Sequence, residues 1–481
     1  MIDTKNHQNY VARLMGLVAC GLLSIWALPE TIAFRHVLLG LGFFLGLFFL
    51  WLDSIHLRTN HSWPIWMLLG LYGWLILHLI IFSVQPTIQY HELVSIWARA
   101  LLSLPLGLAL GIFLSTTNNS NTKFLHVEVS ALLLLGFSST FVIFMGGYVY
   151  RSYLAQEWLP MQAAAWWSLP YREKPPFVVA TALTLPLCCV LLLRVFQGVE
   201  RAWWAAIALT ATGLCVASNY LTNTKNGMAI VAVTIGAFAA FSAIHLIVKL
   251  AKKSLTKTLV SLTLIASLLI GVTWGVKLHL EKNPAWSQLI ANAKVGFDIN
   301  HQQYWKNRNI YATHPINDNG IPVDISTYER TAWFTAGLRL LEDRPQGFGL
   351  VHHSFGWMAL EKWSDFYQPI GTLRGMTHSG WMDLALGIGI PGLLLILIPL
   401  AASWYRSLCM ESLWGAYTSW AIPIFTLTYL TTEVTGAHHF IELLIFMTAF
   451  FIGITINASP NLSRKLGQRP GSSCPQFINP K

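Results

Sequence analysis

Residues 376–395 read MTHSGWMDLALGIGIPGLLL. A histidine and a serine open the stretch, and an almost wholly apolar run follows. Just upstream lie Arg374 and a long polar segment. A lone polar-to-apolar step of this kind is the start of a membrane helix, since spanning a bilayer takes about 20 apolar residues. Composition extends that reading to the whole chain. Of 481 residues, 54% are hydrophobic and only 11% are charged. The mean hydropathy is +0.52, whereas a soluble domain carries about 25% charge. The expected fold is therefore an all-α polytopic membrane protein. The 21 Trp and 15 Tyr suit interfacial aromatic belts.

About twelve segments are long and apolar enough to span. They begin near Val11, His36, Trp63, Val94, Val129, Phe177, Trp203, Gly227, Thr258, Gly380, Leu413 and Phe440. The first is read as a span and not as a cleaved signal, because it is long and further spans follow at once. Orientation follows from Lys and Arg in short loops. With the N-terminus cytoplasmic, the cytoplasmic side holds Lys5, Arg13, Arg58, Lys123, Arg194, Arg201, Lys249, Lys252, Lys253, Lys257 and Arg406 along with the basic tail. The short outer loops hold only Arg35, Arg151, Arg172, Lys174 and Lys225. This asymmetry places both termini inside and the long polar segment outside. It also accounts for the net charge of +10 without a nucleic-acid partner. The expected organisation is nine transmembrane helices over 1–279, a large outer loop over 280–377, three more helices over 378–457 and a flexible cytoplasmic tail over 458–481. No internal repeat of 20–50 residues is evident.

Six cysteines stand at 20, 188, 189, 215, 409 and 474. None falls in the outer loop, and no Cys-x-x-Cys or Cys/His ligand spacing occurs, which argues against a disulfide framework or a zinc site. A structureless loop of this length is uncommon, so the outer loop is expected to be partly folded. Ser326-x-x-Glu329 has the form of a capping box. RTAWFTAGLRLLEDR follows as a helical run that stops near Pro345. Trp333, Ala336, Leu340 and Leu341 recur at helical spacings and are expected to pack on the membrane domain.

Two passages, YERTAWFTAGLRLLEDRPQGFGL and THSGWMDLALGIGIPGLL, together resemble the O-antigen ligase and polymerase superfamily. That family carries an Arg opening a helix, then Pro-x-x-Gly-x-Gly, then a His-Asn pair leading into a helix with Gly-x-x-Gly. The matching positions here are Arg330, Pro345, Gly347, Gly349, His378, Gly389 and Gly392. The likeness covers roughly residues 325 to 395. The chain departs from the pattern at the Pro345–Gly347 spacing, at Ser379 in place of Asn and at Gly387 in place of an acidic residue. Lys225, in TNTKNG, stands where the family has an Arg. A lysine keeps the charge but cannot make a bidentate phosphate fork. The resemblance implies glycan transfer from undecaprenyl diphosphate to an acceptor hydroxyl, on the outer face of a bacterial inner membrane. For ligases the acceptor is a sugar of the lipid A core. The implied partners are thus the polyprenyl donor, the lipid A-core acceptor and membrane lipids.

The residues present suit that chemistry. A sugar hydroxyl is a poor nucleophile, and a histidine with an ordinary pKa can take its proton in the transition state. His378 is the candidate base. A departing diphosphate needs positive charge at the breaking bond, and Arg330 is the candidate. Its place in the first turn of its helix would cost up to about 1 kcal/mol against the dipole, a cost that a bound diphosphate reverses. Lys225 sits in a short outer loop. Arg99 lies about five residues into the fourth span, where an arginine is expensive unless a buried carboxylate pairs with it. Arg374, His353, Gly347 and Gly349 complete the expected diphosphate- and substrate-binding set. His352, His438, His439 and Glu433 are weaker outer-side groups. Their spacing matches no familiar metal-ligand set, so the expectation is transfer without metal or other cofactor, inverting the anomeric centre. Asp383 follows His378 on another helix face and is not paired with it. GIGIPGLLL lacks a phosphate-loop context, and its glycines suit close helix packing.

Other functions remain open at this level. An O-antigen polymerase uses the same donor with a polyprenyl-linked acceptor. A protein O-oligosaccharyltransferase would accept on Ser or Thr. A polyprenyl-linked glycan flippase would also span the membrane many times, but transporters often carry inverted repeats.

Overall fold

The computed structural model describes residues 4–53, 57, 59, 61–116, 123–158, 171, 174–249, 255–281, 287–311, 313–349, 351–366, 376–432 and 439–458. These form an all-helical molecule. The one strand-like feature among the described residues is an isolated bridge between Ile316 and Pro322. The helices run in the order α1 (Thr4–Ile25), α2 (Ile32–Leu52), α3 (Trp63–Ile81), α4 (Pro86–Glu92), a π-helical turn (Leu93–Trp97), α5 (Ala98–Ser115), α6 (Lys123–Ala155), α7 (Pro175–Phe196), α8 (Trp203–Leu221), α9 (Lys225–Lys249) and α10 (Leu255–Glu281). Then come α11 (Leu289–Phe297), α12 (Ile325–Asp343), α13 (Ser354–Lys362), α14 (Gly380–Ser407), α15 (Leu413–Thr431) and α16 (His439–Thr455).

A helix occupies each of the twelve apolar segments read from the sequence. Among the described residues, nine helices are long and apolar enough to cross a membrane, and α16 is a shorter apolar helix. Helices are what such segments must form, because a bilayer core offers no water to satisfy an exposed N–H or C=O. The protein is a multi-pass membrane protein on that ground. The tail from 459 onward lies outside the described residues.

The centre of the bundle is the close pair α5 and α16. A Cβ at Gly107 or Gly111 would collide with the carbonyls of Phe446 and Phe450, and one at Gly453 with that of Leu108. Small residues let the two backbones approach, which is how helices gain contact without a hydrophobic driving force. Outward-facing positions carry large apolar side chains instead, as at Phe34, Phe44 and Trp51 on α2.

The helix α14 is broken. Gly389 sits inside it at φ +73°, which frees the carbonyls of the preceding turn. A strap over residues 345–349 takes them up. Phe348 N–H donates to Leu386 O at 2.8 Å, and Gly349 N–H to Gly387 O at 2.8 Å. Ile390 N–H, past the break, donates to Pro345 O at 2.8 Å. Trp74 of α3 adds an indole N–H to Ile388 O at 2.7 Å. Irregular backbone at membrane depth is tolerated where protein satisfies it in this way. Gly347 (φ +88°) packs its Cα against the Gly387–Gly389 backbone. A side chain at either Gly347 or Gly389 would collide with the opposite backbone.

Described residues between 295 and 366 form a second core beside the bundle. Trp305, Tyr328, Ala332, Trp333, Ala336 and Leu340 join Met382 and Leu386 of α14 there, with Leu341 packed against them. The expected docking of α12 on the membrane helices is therefore present. Its start is not a capping box at Ser326. Asp324 is the N-cap, and its carboxylate accepts from Thr327 N at 3.0 Å and Thr327 Oγ1 at 2.7 Å. Glu329 turns to Arg308 instead. The N-cap lies before Ser326, at Asp324, which is extended (φ −65°, ψ 112°), the backbone state an N-cap needs.

Candidate functional site

The site is built where the starts of α7, α9 and α14 meet α12. His378 immediately precedes α14 and adopts φ +61°, a left-handed state that costs an ordinary residue about 1–2 kcal/mol. Asp383 holds it there. Buried within α14, Asp383 accepts from Thr377 N at 2.7 Å and from Thr377 Oγ1 at 2.8 Å. Its own N–H donates to Ser379 O at 2.9 Å. Gly380 N–H reaches Thr432 O at the end of α15 at 3.2 Å, and the Trp381 indole reaches Thr426 O at 2.8 Å. Asp383 thus clamps the residues on either side of His378. That role was invisible in a helix-face argument.

The His378 ring stacks on Trp333, with centroids 5.4 Å apart and planes at 22°. Trp333 is one turn along α12 from Arg330, and positions three apart are neighbours on a helix surface. Arg330 and His378 therefore both neighbour Trp333. Because α12 begins at Ile325, Arg330 lies in the second turn and not the first. The dipole penalty expected for it falls away, since that effect is confined to the first turn.

Two lysines join Arg330. Lys225 opens α9 and approaches Asp324 at 4.0 Å. Next to it, Asn226 Nδ2 donates to Thr431 O at 2.6 Å, so α9 is tied to the α15–α14 corner. Lys174 caps α7 and donates to Asn223 O at 3.1 Å. Burial, followed by the fields of Lys225 and Arg330, pulls the Lys174 ammonium down to about 8. Three cations thus share one locale, with Asp324 beside Lys225. Lys174 was missed as a site residue because its sequence context is that of any loop lysine before a Pro-Pro helix start. Only the fold shows its partners, 51 and 156 positions away.

The remaining expected residues divide. Arg99 is not five residues into its span but thirteen past Pro86, since α4, the π turn and α5 run on continuously. It pairs with Glu442 of α16 at 2.7 Å, the carboxylate partner left open by sequence. It lies in a cavity with His352 and not among the three cations. Gly347 and Gly349 spend their backbone on α14, as described, and Gly349 faces Gln89 and His78. Their place is in the strap. His353 stacks edgewise on His352, centroids 4.0 Å apart, at the start of α13. Glu92 accepts from Val351 N and His352 N at 3.0 and 3.3 Å, fixing that segment. Arg374, Glu433 and His438 lie outside the described residues. Among the described residues, no group of three or more His, Cys, Asp or Glu side chains is placed to hold a metal.

The arrangement offers a histidine fixed in orientation beside a dense positive patch. It can accept a proton next to a phosphate-bearing group. Compared with known proteins, the chain matches no family model, and no curated protein matches it.

Proposed function

We propose that the protein is a membrane glycosyltransferase of the O-antigen ligase type. It moves a glycan from undecaprenyl diphosphate to a sugar hydroxyl of the lipid A core. The reaction takes place on the periplasmic face of a bacterial inner membrane, with the 280–377 segment on that face and twelve helices spanning. The observation that carries the reading is the Lys174–Lys225–Arg330 cluster beside the clamped His378.

The chemistry follows from those groups. The acceptor hydroxyl attacks the anomeric carbon and forms the new C–O bond. The bond from that carbon to the diphosphate oxygen breaks. The acceptor proton passes to the His378 imidazole, and the diphosphate leaves with its charge onto Arg330, Lys225 and Lys174. Electrostatic stabilisation of this kind is strongest where charge develops during the step. Stacking on Trp333 and the Asp383 clamp keep the imidazole from turning away. One displacement at the anomeric carbon inverts it.

The test is turnover and donor binding measured on the same purified variants. His378→Ala is expected to keep donor binding and lose transfer by roughly 10²–10⁴-fold, the usual contribution of a general base. His378→Gln, which orients a hydroxyl but is a negligible base, should fare little better. Arg330→Ala should lose donor binding as well, and Arg330→Lys should restore only part, because a lysine lacks the bidentate fork. Normal turnover in folded His378→Ala would overturn the mechanism. In a deletion strain, core lipopolysaccharide without O-chain marks a ligase, whereas core bearing a single repeat marks a polymerase.

A further inference from the structure

A polar cavity of about 340 Å³ is lined by none of the residues of the His378 patch. Arg35 and His36 of α2, Arg99 of α5, His439 and Glu442 of α16, and His352 ahead of α13 line it. None of Lys174, Lys225, Arg330 or His378 does. Charged groups on such apolar helices are costly and by default functional. Arg99 and Glu442 neutralise one another at 2.7 Å, which leaves Arg35 as the surplus charge. One Arg35 Nη donates to Trp26 O at 2.8 Å and holds the side chain in place. Its Nε is buried and has no hydrogen-bond partner among the described residues. A buried donor left in that state costs free energy, and an acceptor entering the cavity would remove the cost.

The lining selects an anion. Two guanidiniums repel a metal cation, and the histidines and glutamate do not converge as ligands. Guanidinium geometry matches phosphate oxygens, and three imidazoles supply further donors. A water takes about 30 Å³ of liquid volume, so the cavity has room for a phosphate with a sugar ring attached. His352 ties this cavity to the transfer site through chain continuity. It follows the strap that seats on broken α14, and Glu92 fixes its backbone.

We infer that this cavity binds a phosphate monoester carried by the acceptor lipid, with Arg35 as its main contact. The word acceptor rests on the transfer reading, which requires a second lipid besides the donor; the anion site itself does not.

The experiment is native mass spectrometry of the full-length protein in detergent, titrated with phosphatidic acid or phosphatidylcholine, with inorganic phosphate as competitor. The wild type should retain phosphatidic acid in preference to phosphatidylcholine. Arg35→Gln should weaken that retention by roughly 10- to 100-fold, the loss of one charge-assisted hydrogen bond, and Arg35→Lys by less. Glu442→Gln releases Arg99 and should strengthen retention several-fold, where a merely structural ion pair would only lose stability. Competition by inorganic phosphate supports the site. Binding of inorganic phosphate with no preference for phosphatidic acid overturns the lipid source. Equal retention by wild type and Arg35→Gln overturns the site. Polyprenyl diphosphate binding should depend on Arg330 and not on Arg35. Loss of its dependence on Arg330 would sink the transfer reading and leave the cavity assignment standing.

Discussion

Asp383→Ala tests how His378 is presented. Asp383 is 1% exposed and accepts two hydrogen bonds from Thr377, at 2.7 and 2.8 Å. Bonds to a charged group contribute about 1.5–3 kcal/mol each, so the clamp supplies about 3–6 kcal/mol. The left-handed φ of His378 opposes it with about 1–2 kcal/mol. With the clamp intact the presented state dominates. Without it the strain acts alone, and the presented fraction falls about 5- to 30-fold. Turnover per folded molecule should fall by the same factor, with donor binding at Arg330 unchanged. Asp383→Asn keeps the acceptor oxygen but with neutral bonds of about half the strength. Its clamp then exceeds the strain by only about 0.5–1 kcal/mol, and a loss of about 1.2- to 1.4-fold follows. The assay pairs turnover in nanodiscs with hydrogen exchange of the peptide spanning Thr377, whose amide should exchange faster in Asp383→Ala. Wild-type turnover together with unchanged Thr377 protection in folded Asp383→Ala would refute the clamp.

Other outcomes follow from the same geometry. Lys174 titrates near 8 because burial and its two cationic neighbours disfavour its charge. Donor binding should therefore weaken as pH rises through about 8. The empty protein should at the same time gain stability, since the unfolded lysine holds its proton to about 10.5. Lys174→Arg should move the binding limb to higher pH, and binding that stays flat from pH 7 to 9 in the wild type would count against the cluster, these pH limits being roughly one unit either side of the lysine. Gly389→Ala adds strain of about 1–3 kcal/mol, since φ +73° with ψ 172° is essentially a glycine-only conformation, and a collision with the Gln346 carbonyl. It should lower the melting temperature sharply, whereas Gly40→Ala, with nothing within 4 Å, should not; equal melting temperatures would show that the strap is loose. A cysteine placed near Asn319 should react with a membrane-impermeant reagent added from the periplasmic side, and labelling only from the cytoplasm would invert the topology.

What could be read from the chain alone was whatever depends on near neighbours in sequence. Backbone bonds within a membrane helix close over four residues, so the apolar runs located a helix at all twelve positions. The α12 helix, its stop before Pro345 and its buried Trp333 face were equally local. The candidate base and its arginine were legible through the pattern of motifs between residues 325 and 395. The tertiary structure decided everything that rests on distant partners. Arg99 meets Glu442 across 343 positions, and Lys174 comes to Arg330 only because α7 and α12 start at one corner. The glycines of the Pro345–Gly349 strap have a use only once α14 is broken opposite them. Asp383 and His378 are near in sequence, yet a regular helix would separate their faces. The chain leaves helical geometry just before Gly380, and that turn brings the carboxylate under Thr377. Periodicity describes a backbone that repeats, and the site is assembled where the backbone stops repeating.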